Sequence, residues 1–580
     1  MNSLALRAAR FVRLLPTLAL PLLAGCVAAS GVPLAQSVAP VTVGIIAIND
    51  FHGSLEPPRQ SVPAPDGTGG TVRVPAGGAA YLASAIDAVR GKYPYHLTVS
   101  AGDLISASQL SSSIYLDEPT IGVANRFGLD FNAVGNHEFD RGRNELLRMQ
   151  RGGCAQLTAR KPCQVERFGG ARFQFLAAST ITETGKPLFP AFAIRSFGSG
   201  KAKVRVGIIG LTLRGTPDLV SPGGIKGLTF ADEAATINAA VPVLKARGAD
   251  AIVVLIHQGG QQANADDSNA CAGFTGEIHP ILDRLDPRID VVVSGHTHKA
   301  YVCDYALLNP AHPLLLTSAG VYGELVTDIT LEIDPVKHQV VNKRAHNVIV
   351  QSAPYTGAIG PVTTTSLYPQ FSPRPDVASY VQTYVSASKE FAQRPAGRLA
   401  GPATGRPLGQ LIADSQLAAT RAAGAQIAFM NPFGVRAPLV PAADNSVKFG
   451  DIYAVQPFGN TLITQTMTGA ELKAVLEQSF DASGPEQALL PSAGFSYSYD
   501  PKRPIGSRIA GMMLDGQPID PAASYRITTN NFLAQGGDSF TLFAKQRDAV
   551  IGGLDLDALQ AWLQTSELRV VPSEERALKL

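Results

Sequence analysis

The chain has 580 residues, of which 45% are hydrophobic and 17% are charged, a balance typical of a soluble globular protein. A chain of this length is too long to fold around a single hydrophobic core, so two or three domains are expected. The formal charge is +2, but the first 25 residues carry Arg7, Arg10 and Arg13 and no acid, which leaves 46 basic and 47 acidic residues beyond them. Without a general basic field, neither a nucleic-acid polymer nor an anionic membrane surface is an expected partner.

Residues 1–25 are predicted to form an export signal. Three arginines precede an apolar run over residues 14–23, which is too short to span a bilayer as a helix. The run ends in Leu-Ala-Gly followed by Cys26, which resembles the bacterial lipobox, where the cysteine is lipidated after cleavage. The alternative is an ordinary secretory signal with an incidental cysteine. We expect an exported bacterial protein, either periplasmic or held on the outer membrane by a lipid on Cys26.

Four cysteines remain if Cys26 is lipidated. An even number in an exported chain indicates disulfide bonds, and four cysteines allow three pairings. We favour Cys154–Cys163, which closes a short local loop, together with Cys271–Cys303. The sequence contains no CxxC pattern that would indicate a thiolate metal site.

Short apolar runs alternate with helical patterns from residue 41 onwards, which predicts an α/β fold with buried strands. Helices are predicted over residues 78–90 and 230–247, and residues 57–78, rich in Pro and Gly, are predicted to form a surface loop. The predicted strands are Val41–Ile48, His96–Ser100, 131–134, 204–209, 251–256 and 290–294.

The second half of the chain begins with a boundary rich in Pro, Gly, Thr and Ser, at residues 351–375. Apolar residues at helical spacing predict an amphipathic linker helix over residues 374–393. The last dozen residues of the chain are expected to be a frayed tail. A second domain is expected over residues 397–568, with helices over 408–423 and 468–478 and strands over 426–430 and 524–529.

Five polar clusters directly follow predicted strands. Ligands of open α/β sheets bind outside the carboxyl ends of the strands, so these clusters could converge on one rim. Each cluster alone is more often a loop end or a satisfied histidine, but together they hold five of the ten histidines. Imidazole and carboxylate without thiolate favour Zn, Mn, Fe, Co or Mg. The clusters contain Asp50 and His52, then Asp103, then Asn136 and His137, then His257, and finally His296 and His298.

Backbone geometry gives a further expectation for two of the clusters. Side chains alternate along an extended strand. Asp50 and His52 are therefore expected on the same side of an extended segment, and so are His296 and His298.

The motifs D-x-H, GD, GNHE, H and GHxH, in this order, resemble the signature of calcineurin-like metallophosphoesterases. GNHEFD at residues 135–140 resembles the form seen in the 5′-nucleotidase family, which includes periplasmic UDP-sugar hydrolases. The resemblance covers the chain from about residue 41 to 568. It implies a four-layer α/β/β/α metallophosphoesterase domain over residues 41–350, a linker helix, and a second, α+β substrate-binding domain over residues 397–568.

The resemblance also implies a site with two divalent metal ions, Zn, Mn, Co or Mg. Asp50, His52 and His298 would hold one metal ion. Asn136, His257 and His296 would hold the other, and Asp103 would bridge the two. In the implied mechanism the ions lie about 3.5–4 Å apart and supply a hydroxide that attacks phosphorus in line.

His137 would lie beside the metal ions, where it would stabilise phosphoryl charge or protonate the leaving oxygen. Asp140 would orient His137 and favour its imidazolium form. Read without the resemblance, the same residues could be a polar helix start with Asp140 as a cap.

Three loops of the second domain resemble the nucleoside-binding loops of the family. Asn431 would contact the base, and Arg436 would bind phosphate. Phe458 and Phe532 would stack on the two faces of the base, and Asp538 would accept hydrogen bonds from ribose. Phe433 stands where relatives usually have glycine, which puts close backbone approach there in doubt. Asn460 and Arg406 complete the predicted set, with Arg398 as an alternative to Arg406.

These expectations together predict an extracytoplasmic phosphohydrolase that acts on nucleoside 5′-phosphates, with nucleotide sugars and nucleoside di- or triphosphates as further candidates. One alternative is a 2′,3′-cyclic-nucleotide phosphodiesterase with 3′-nucleotidase activity. Another is a surface nucleotide-binding lipoprotein without turnover, against which the intact ligand set argues. The expected partner is the nucleotide, and no obligate protein partner is evident.

Overall fold

The computed structural model describes residues 38–580, except for residues 159, 221, 358–359 and 481–485. The predicted export signal and Cys26 lie outside the described residues. Residues Ala39–Leu580 form one compact unit. Across the part of the chain that is described, no helix combines the length and the apolar character needed to cross a membrane.

Two six-stranded sheets form the first lobe, defined here as residues 41–349. Neighbouring strands that carry the predicted clusters run parallel within each sheet, so their carboxyl ends lie at the same edge. The first sheet has the order Gln339–Ile349, Leu325–Asp334, Val41–Ile48, His96–Ser100, Phe131–Ala133 and Gln174–Leu176. The second has the order Ala300–Asp304, Leu315–Ala319, Val291–Ser294, Ala251–His257, Val204–Thr212 and Phe192–Phe197.

The two sheets pack face to face because successive strand residues point to opposite faces. Val43 and Ile45 share a buried cluster with Val253 of the second sheet. Ile46, on the other face, packs against helices outside the first sheet, and Ile252 does the same outside the second. The result is a four-layer α/β/β/α arrangement, which confirms the predicted fold class.

Helices cover the outer faces of both sheets. One helix, predicted from residue 230, begins three residues later at Glu233, because the Asp232 carboxylate accepts a hydrogen bond from the Ala235 amide at 2.9 Å and caps the helix. A two-stranded sheet pairs Thr180–Thr182 with Leu228–Phe230, and another, just beyond this lobe, pairs Tyr355–Gly357 with Gly360–Val362. The helices of this lobe are Ala79–Arg90, Leu110–Ser113, Glu118–Phe127, Arg143–Arg151, Thr216–Leu219, Glu233–Ala246 and His279–Leu282.

The prediction of a surface loop at residues 57–78 was wrong, because Ser61–Pro65 and Thr71–Pro75 form an antiparallel hairpin. Asp66 closes the turn by accepting hydrogen bonds from the Thr68 and Gly70 amides at 2.8 and 2.9 Å. Val62 and Val74 are buried in an apolar cluster of the first lobe. Proline inside both strands hid this alternation in the sequence, yet an edge hairpin tolerates proline.

Both favoured disulfide bonds are present, Cys154–Cys163 and Cys271–Cys303. The first closes a loop with a sequence separation of 9 residues beside the helix Arg143–Arg151. The second joins the segment after the strand Ala251–His257 to the edge strand Ala300–Asp304.

The predicted linker helix extends over Pro375–Gln393 and ends where Pro395 follows. Val377 and Val381 are buried in the core of the first lobe. The hydroxyls of Tyr380 and Tyr384 both donate to Glu166, at 2.8 and 3.2 Å. The first half of this helix is therefore anchored on the first lobe.

The second lobe, defined here as residues 395–579, has the predicted α+β character. Its five-stranded sheet has the order Leu490–Pro491, Ile427–Met430, Ser524–Asn530, Thr461–Thr468 and Val550–Leu554. A four-stranded sheet has the order Gln517–Pro518, Ile509–Leu514, Phe495–Tyr499 and Ala577–Lys579, and Pro395–Arg398 pairs with Ser446–Lys448. The helices are Gly405–Thr420, Phe449–Val455, Gly469–Glu477, Asn531–Ala534 and Asp555–Gln564.

The expectation of a frayed tail was wrong. Ala577–Lys579 pairs in parallel with Phe495–Tyr499, and Ala577 is fully buried. Arg576 donates to Asp414 at 2.7 Å, and the Lys579 ammonium lies 2.5 Å from Glu486. Lys579 and its neighbours read as polar in sequence, but their partners lie up to 162 residues away, where no local pattern could indicate them.

Candidate metal centre

The predicted clusters converge at the carboxyl ends of the strands in two adjoining groups. Asp50, His52 and His298 form one, and Asp103, His257 and His296 form the other. Within each group the potential ligand atoms lie within 4.8 Å of one another.

The expectation of an extended backbone at Asp50 and His52, and at His296 and His298, was wrong. These four residues and Asp103 adopt left-handed backbone conformations, which cost side-chain-bearing residues about 1–3 kcal/mol each and cluster at functional sites. Backbone hydrogen bonds from Asp50 to Gly102 and from His52 to Asp103, both at 3.0 Å, hold two strand-end loops together in these conformations. The φ values are 47° for Asp50, 46° for His52, 50° for Asp103, 72° for His296 and 58° for His298.

Gly102 is required where these loops meet. Its φ is +93°, and a Cβ atom there would lie 2.7 Å from His257 Nδ1 and 2.8 Å from the Gly135 nitrogen. The glycine lets the loop that carries Asp103 approach the next ligand loop and the His257 ring.

Hydrogen bonds to the first group orient the lone pairs of its ligand atoms toward one point. His52 Nδ1 donates to the Ser106 carbonyl at 2.9 Å, which leaves Nε2 as the atom facing His298 Nε2 at 3.2 Å. His298 Nε2 also lies 3.5 Å from Asp50 Oδ1. Asn49 Nδ2 donates to Asp50 Oδ2 at 2.7 Å and fixes that carboxylate.

The second group is arranged in the same way. His257 Nδ1 donates to the Ala101 carbonyl at 2.8 Å, so Nε2 faces Asn136 Oδ1 at 3.1 Å. His296 Nδ1 lies 3.1 Å from the same oxygen. Asn136 therefore joins this group as its amide member.

Asp103 lies between the two groups. Its Oδ2 atom is buried, 3.0 Å from His257 Nε2 and 3.8 Å from His52 Nε2. A buried carboxylate needs a cationic partner, which a metal ion or the His257 imidazolium can supply.

Burial lowers the pKa of His52 and His298 well below its usual range and lowers that of His296 to about 3, which keeps these imidazoles neutral. Burial opposes ionisation of Asp103, but His257 and His137 outweigh it and hold the pKa of Asp103 low. Although burial opposes it, Asp103 raises the pKa of His257 to about 10, so a dication bound there would displace the His257 proton. Neutral imidazoles and an ionised carboxylate are the forms that bind dications. The donor set therefore fits two divalent metal ions.

Glu138 is a site residue that the sequence reasoning left without a role. Its carboxylate accepts hydrogen bonds from the amides of Asp103, Leu104 and Gly135, at 2.9, 2.9 and 2.7 Å. Burial and the charge of Asp103 raise the pKa of Glu138 to about 7. The GNHE motif contains Glu138, but the hydrogen bonds by which Glu138 joins two loops depend on tertiary contacts that the motif does not reveal.

His137 lies at the edge of the centre, 2.8 Å from Asp140 through Nδ1, in the predicted pairing. Its ring meets that of His52 edge to face at 5.1 Å between centroids. On the other side it stacks against Phe458 of the second lobe, with centroids 6.0 Å apart and an interplanar angle of 17°. Although burial disfavours the imidazolium, Asp140 and Asp103 raise the pKa of His137.

Among the predicted substrate residues of the second lobe, Arg436 lies next to this edge. Arg436 Cζ is 5.9 Å from the centroid of Phe458, and Arg436 Nη2 is buried with no hydrogen-bond partner among the described residues. Asn431 Nδ2 donates to Asp538 Oδ2 at 2.7 Å. Phe532 is half-buried against Gly537, where a Cβ atom would collide with its ring at 2.5 Å.

The remaining predicted residues are placed differently. Arg406 lines a cavity of about 450 Å³ together with Arg436, and it also donates to the Tyr499 hydroxyl at 2.9 Å. Arg398 instead donates to the Asp444 carbonyl at 3.0 Å. The Asn460 side chain hydrogen-bonds Asp555 within the second lobe. Phe433 is 45% exposed on the turn Pro432–Gly434.

Comparison with known proteins agrees with this architecture. Residues 44–300 match the calcineurin-like phosphoesterase family, and residues 385–545 match the 5′-nucleotidase C-terminal domain. The fold and the site thus define a two-lobe metallophosphoesterase. The chain belongs to the 5′-nucleotidase family.

Individual relatives resemble the chain over most of its length. Endonuclease YhcR of Bacillus subtilis is 29% identical over 93% of this chain, which spans only 41% of that protein. The NAD 5′-nucleotidase of Haemophilus influenzae is 24% identical over 87% of this chain and 86% of its own. The crystal structure of a 5′-nucleotidase precursor from Thermus thermophilus covers 93% of this chain and 99% of its own, with 26% identity and a TM-score of 0.72.

Proposed function

We propose that the protein is an extracytoplasmic phosphohydrolase that releases phosphate from nucleoside 5′-phosphates. The observation that carries the proposal is the meeting of the two lobes, with Phe458 stacked on His137 at 6.0 Å between centroids. A base-stacking residue beside the proposed acid would bring a nucleoside and its ester phosphate to the same centre.

The metal ligands would be those of the two groups. Asp50, His52 and His298 would hold one dication, Asn136, His257 and His296 the other, and Asp103 both. When bound, two dications would neutralise phosphoryl charge and make a water molecule acidic enough to act as the nucleophile near neutral pH.

His137 would donate a proton to the ester oxygen that leaves. Its Nδ1 is held by Asp140 at 2.8 Å, so Nε2 is free to face the substrate. Asp140 also favours the imidazolium form, which is the proton-donating form. Arg436, whose Nη2 has no partner among the described residues, would bind a phosphate oxygen.

The second lobe would recognise the nucleoside. Phe458 and Phe532 offer half-buried rings, and stacking contributes about 1–3 kcal/mol per base with little base preference. Asp538 is held by Asn431 and would accept from a ribose hydroxyl. Arg406 would widen the positive wall of the cavity that it shares with Arg436.

We also propose export and, through Cys26, attachment to a membrane. The two disulfide bonds support an oxidising compartment. Mass spectrometry of the protein isolated from membranes tests the lipid on Cys26.

An assay of the purified protein with Mn²⁺ or Zn²⁺ tests the activity. AMP, UDP-glucose and 2′,3′-cyclic AMP are supplied separately, and released phosphate and nucleoside are measured. Hydrolysis of AMP is expected, whereas metal binding without hydrolysis of any of the three would refute the enzyme proposal. Turnover of the cyclic nucleotide alone would favour the phosphodiesterase alternative.

His137→Ala tests the proposed acid. We expect kcat for AMP to fall about 10²- to 10⁴-fold, the usual contribution of a positioned acid, while metal analysis still finds both ions. His346→Ala is the matched control, because His346 is exposed on the strand Gln339–Ile349. Full activity in His137→Ala would remove the assigned role.

A further inference from the structure

The two lobes meet through a short segment that leaves the first lobe. Leu110, in the helix Leu110–Ser113, is 8% exposed and belongs to an apolar cluster of the second lobe that includes Ile452 and Tyr453. Ile114 packs against the same cluster. This segment carries Ser113 into the second lobe, next to the helix Phe449–Val455.

A chain of buried hydrogen bonds crosses the interface at this point. Arg141 Nη2 donates to Ser113 Oγ at 3.0 Å, and Ser113 Oγ lies 2.5 Å from the Tyr453 hydroxyl. The Tyr453 hydroxyl also lies 3.0 Å from the Pro457 carbonyl. Tyr453 is the donor in both contacts, so its single hydroxyl proton is shared between Ser113 Oγ and the Pro457 carbonyl.

The two ends of this series of hydrogen bonds hold the rings of His137 and Phe458, which stack on each other. Pro457 precedes Phe458, so fixing its carbonyl fixes the backbone that carries the Phe458 ring. Arg141 follows Asp140, the residue that holds His137, and is itself paired with the buried carboxylate of Asp117.

Asp117 extends this series of hydrogen bonds toward the metal centre. It accepts a hydrogen bond from the Ser106 amide at 3.1 Å, and the Ser106 carbonyl holds His52 Nδ1 at 2.9 Å. One network thus contacts a proposed metal ligand, the support of the proposed acid and the proposed base-stacking loop.

We propose that Tyr453 is a positioning residue that couples closure of the second lobe onto the first to the placement of Phe458 beside His137. Core packing would require only the ring of Tyr453. Its hydroxyl contacts Ser113, 340 residues away, and Pro457, four residues away, so its bond to Ser113 exists only while the two lobes are in contact here. The inference rests on the proposed function, because a nucleoside substrate is what the placed ring would bind.

Tyr453→Phe removes the bridge and keeps the ring. Loss of one buried hydrogen bond should raise KM for AMP roughly three- to tenfold. The kcat/KM for glycerol 2-phosphate, which has no ring to stack, should fall less, because this substrate would lose only the Arg436 contact of the second lobe. Small-angle X-ray scattering should record a larger radius of gyration, as closed molecules become fewer.

Two further variants make the test specific. Ser113→Ala removes the same bridge from the first lobe and should raise KM for AMP in the same way. The double variant should be no worse than the more severe single variant, because both act on one interaction. Tyr305→Phe is the control, since Tyr305 is buried in the first lobe and loses a hydrogen bond to Asp283 of 2.8 Å without touching the interface.

Wild-type KM for AMP and wild-type scattering in both Tyr453→Phe and Ser113→Ala would overturn the proposal. A parallel loss with AMP and glycerol 2-phosphate at unchanged scattering would overturn it too, since the hydroxyl would then act on the metal centre alone. If the wild-type protein hydrolyses no nucleotide, the proposed function fails, and the scattering of the same variants still decides whether Tyr453 holds the lobes closed.

Discussion

Glu138 joins the loops that carry Asp103 and Asn136 by accepting three backbone amides with one carboxylate. Both of its oxygens are needed, because the Asp103 and Gly135 amides share one and the Leu104 amide uses the other. Groups that orient metal ligands in this way commonly contribute 10- to 100-fold to metal affinity. The residue therefore supports the centre without being a ligand.

Glu138→Gln should weaken metal binding about 10- to 100-fold, because the amide nitrogen would face a backbone N–H that now has no acceptor. Calorimetric titration of the metal-free protein with Zn²⁺ measures the effect. Glu145→Gln is a control of similar burial, since Glu145 pairs with Arg148 outside the centre. Equal affinity in the Glu138 variant and the wild type would contradict the role.

Glu324 provides a pH-dependent prediction at the same scale. Its Oε1 atom is buried without a hydrogen-bond partner among the described residues, and burial raises its pKa from 4.5 to about 8. Between these values the folded state holds a proton that the unfolded state releases, so Glu324 makes the protein less stable as pH rises from about 5 to 8.

Glu324→Gln should therefore increase the free energy of unfolding at pH 8 by about 1–3 kcal/mol, with a smaller change at pH 5. Urea unfolding at the two pH values measures the difference. An equal change at both pH values would mean that ionisation of Glu324 does not oppose folding.

At the scale of elements, the sequence was most informative where one face of a strand is buried. Val41–Ile48 was predicted with its observed bounds because the run is apolar and β-branched. The order of ligand clusters after such strands then indicated a common rim. The local backbone at Asp50 and His52 could not be predicted, because their left-handed conformations are imposed by hydrogen bonds to residues 102 and 103.

The hairpin Ser61–Pro65 with Thr71–Pro75 and the strand Ala577–Lys579 were missed for a related reason. Each is stabilised by a partner distant in sequence, such as Leu325 and Ile349 for the hairpin and Phe495–Tyr499 for the last strand. Local propensity at these segments is weak, and tertiary packing decides their structure. The Tyr453 bridge to Ser113 was hidden in the same way.

Gly102→Ala tests how closely the ligand loops must approach. The backbone strain should cost about 1–2 kcal/mol, and the new Cβ atom would also meet His257 Nδ1 at 2.7 Å, so metal binding should be lost. Gly69→Ala is the matched control, with φ of +97° and open space around its Cβ position. Metal content and urea unfolding of both variants check the prediction; metal content equal in the two would contradict it.

At the scale of the whole molecule, the metal centre joins parts of the chain that lie far apart in sequence. Its residues run from Asp50 to His298 and come from both six-stranded sheets, so binding of two dications would tie the sheets together at their common edge. Bound dications would pair with the buried Asp103 carboxylate and with the facing Nε2 atoms of His52 and His298, which lie 3.2 Å apart. Their binding would therefore add to the stability of the folded chain.

Removal of metal by a chelator should therefore lower Tm, and addition of Mn²⁺ or Zn²⁺ should restore it. A ligand at 100 times its Kd contributes about 2.7 kcal/mol per site, which for two sites is a large part of the stability of an ordinary domain. Differential scanning calorimetry of the chelated and reloaded protein measures the change. Asp103→Asn should show a smaller rise on reloading, because the amide lacks the charge that both ions would share, whereas His346→Ala should show the full rise. An equal Tm with and without metal would mean that the ligands are held in place by the fold alone and that the ions add no cohesion between the sheets.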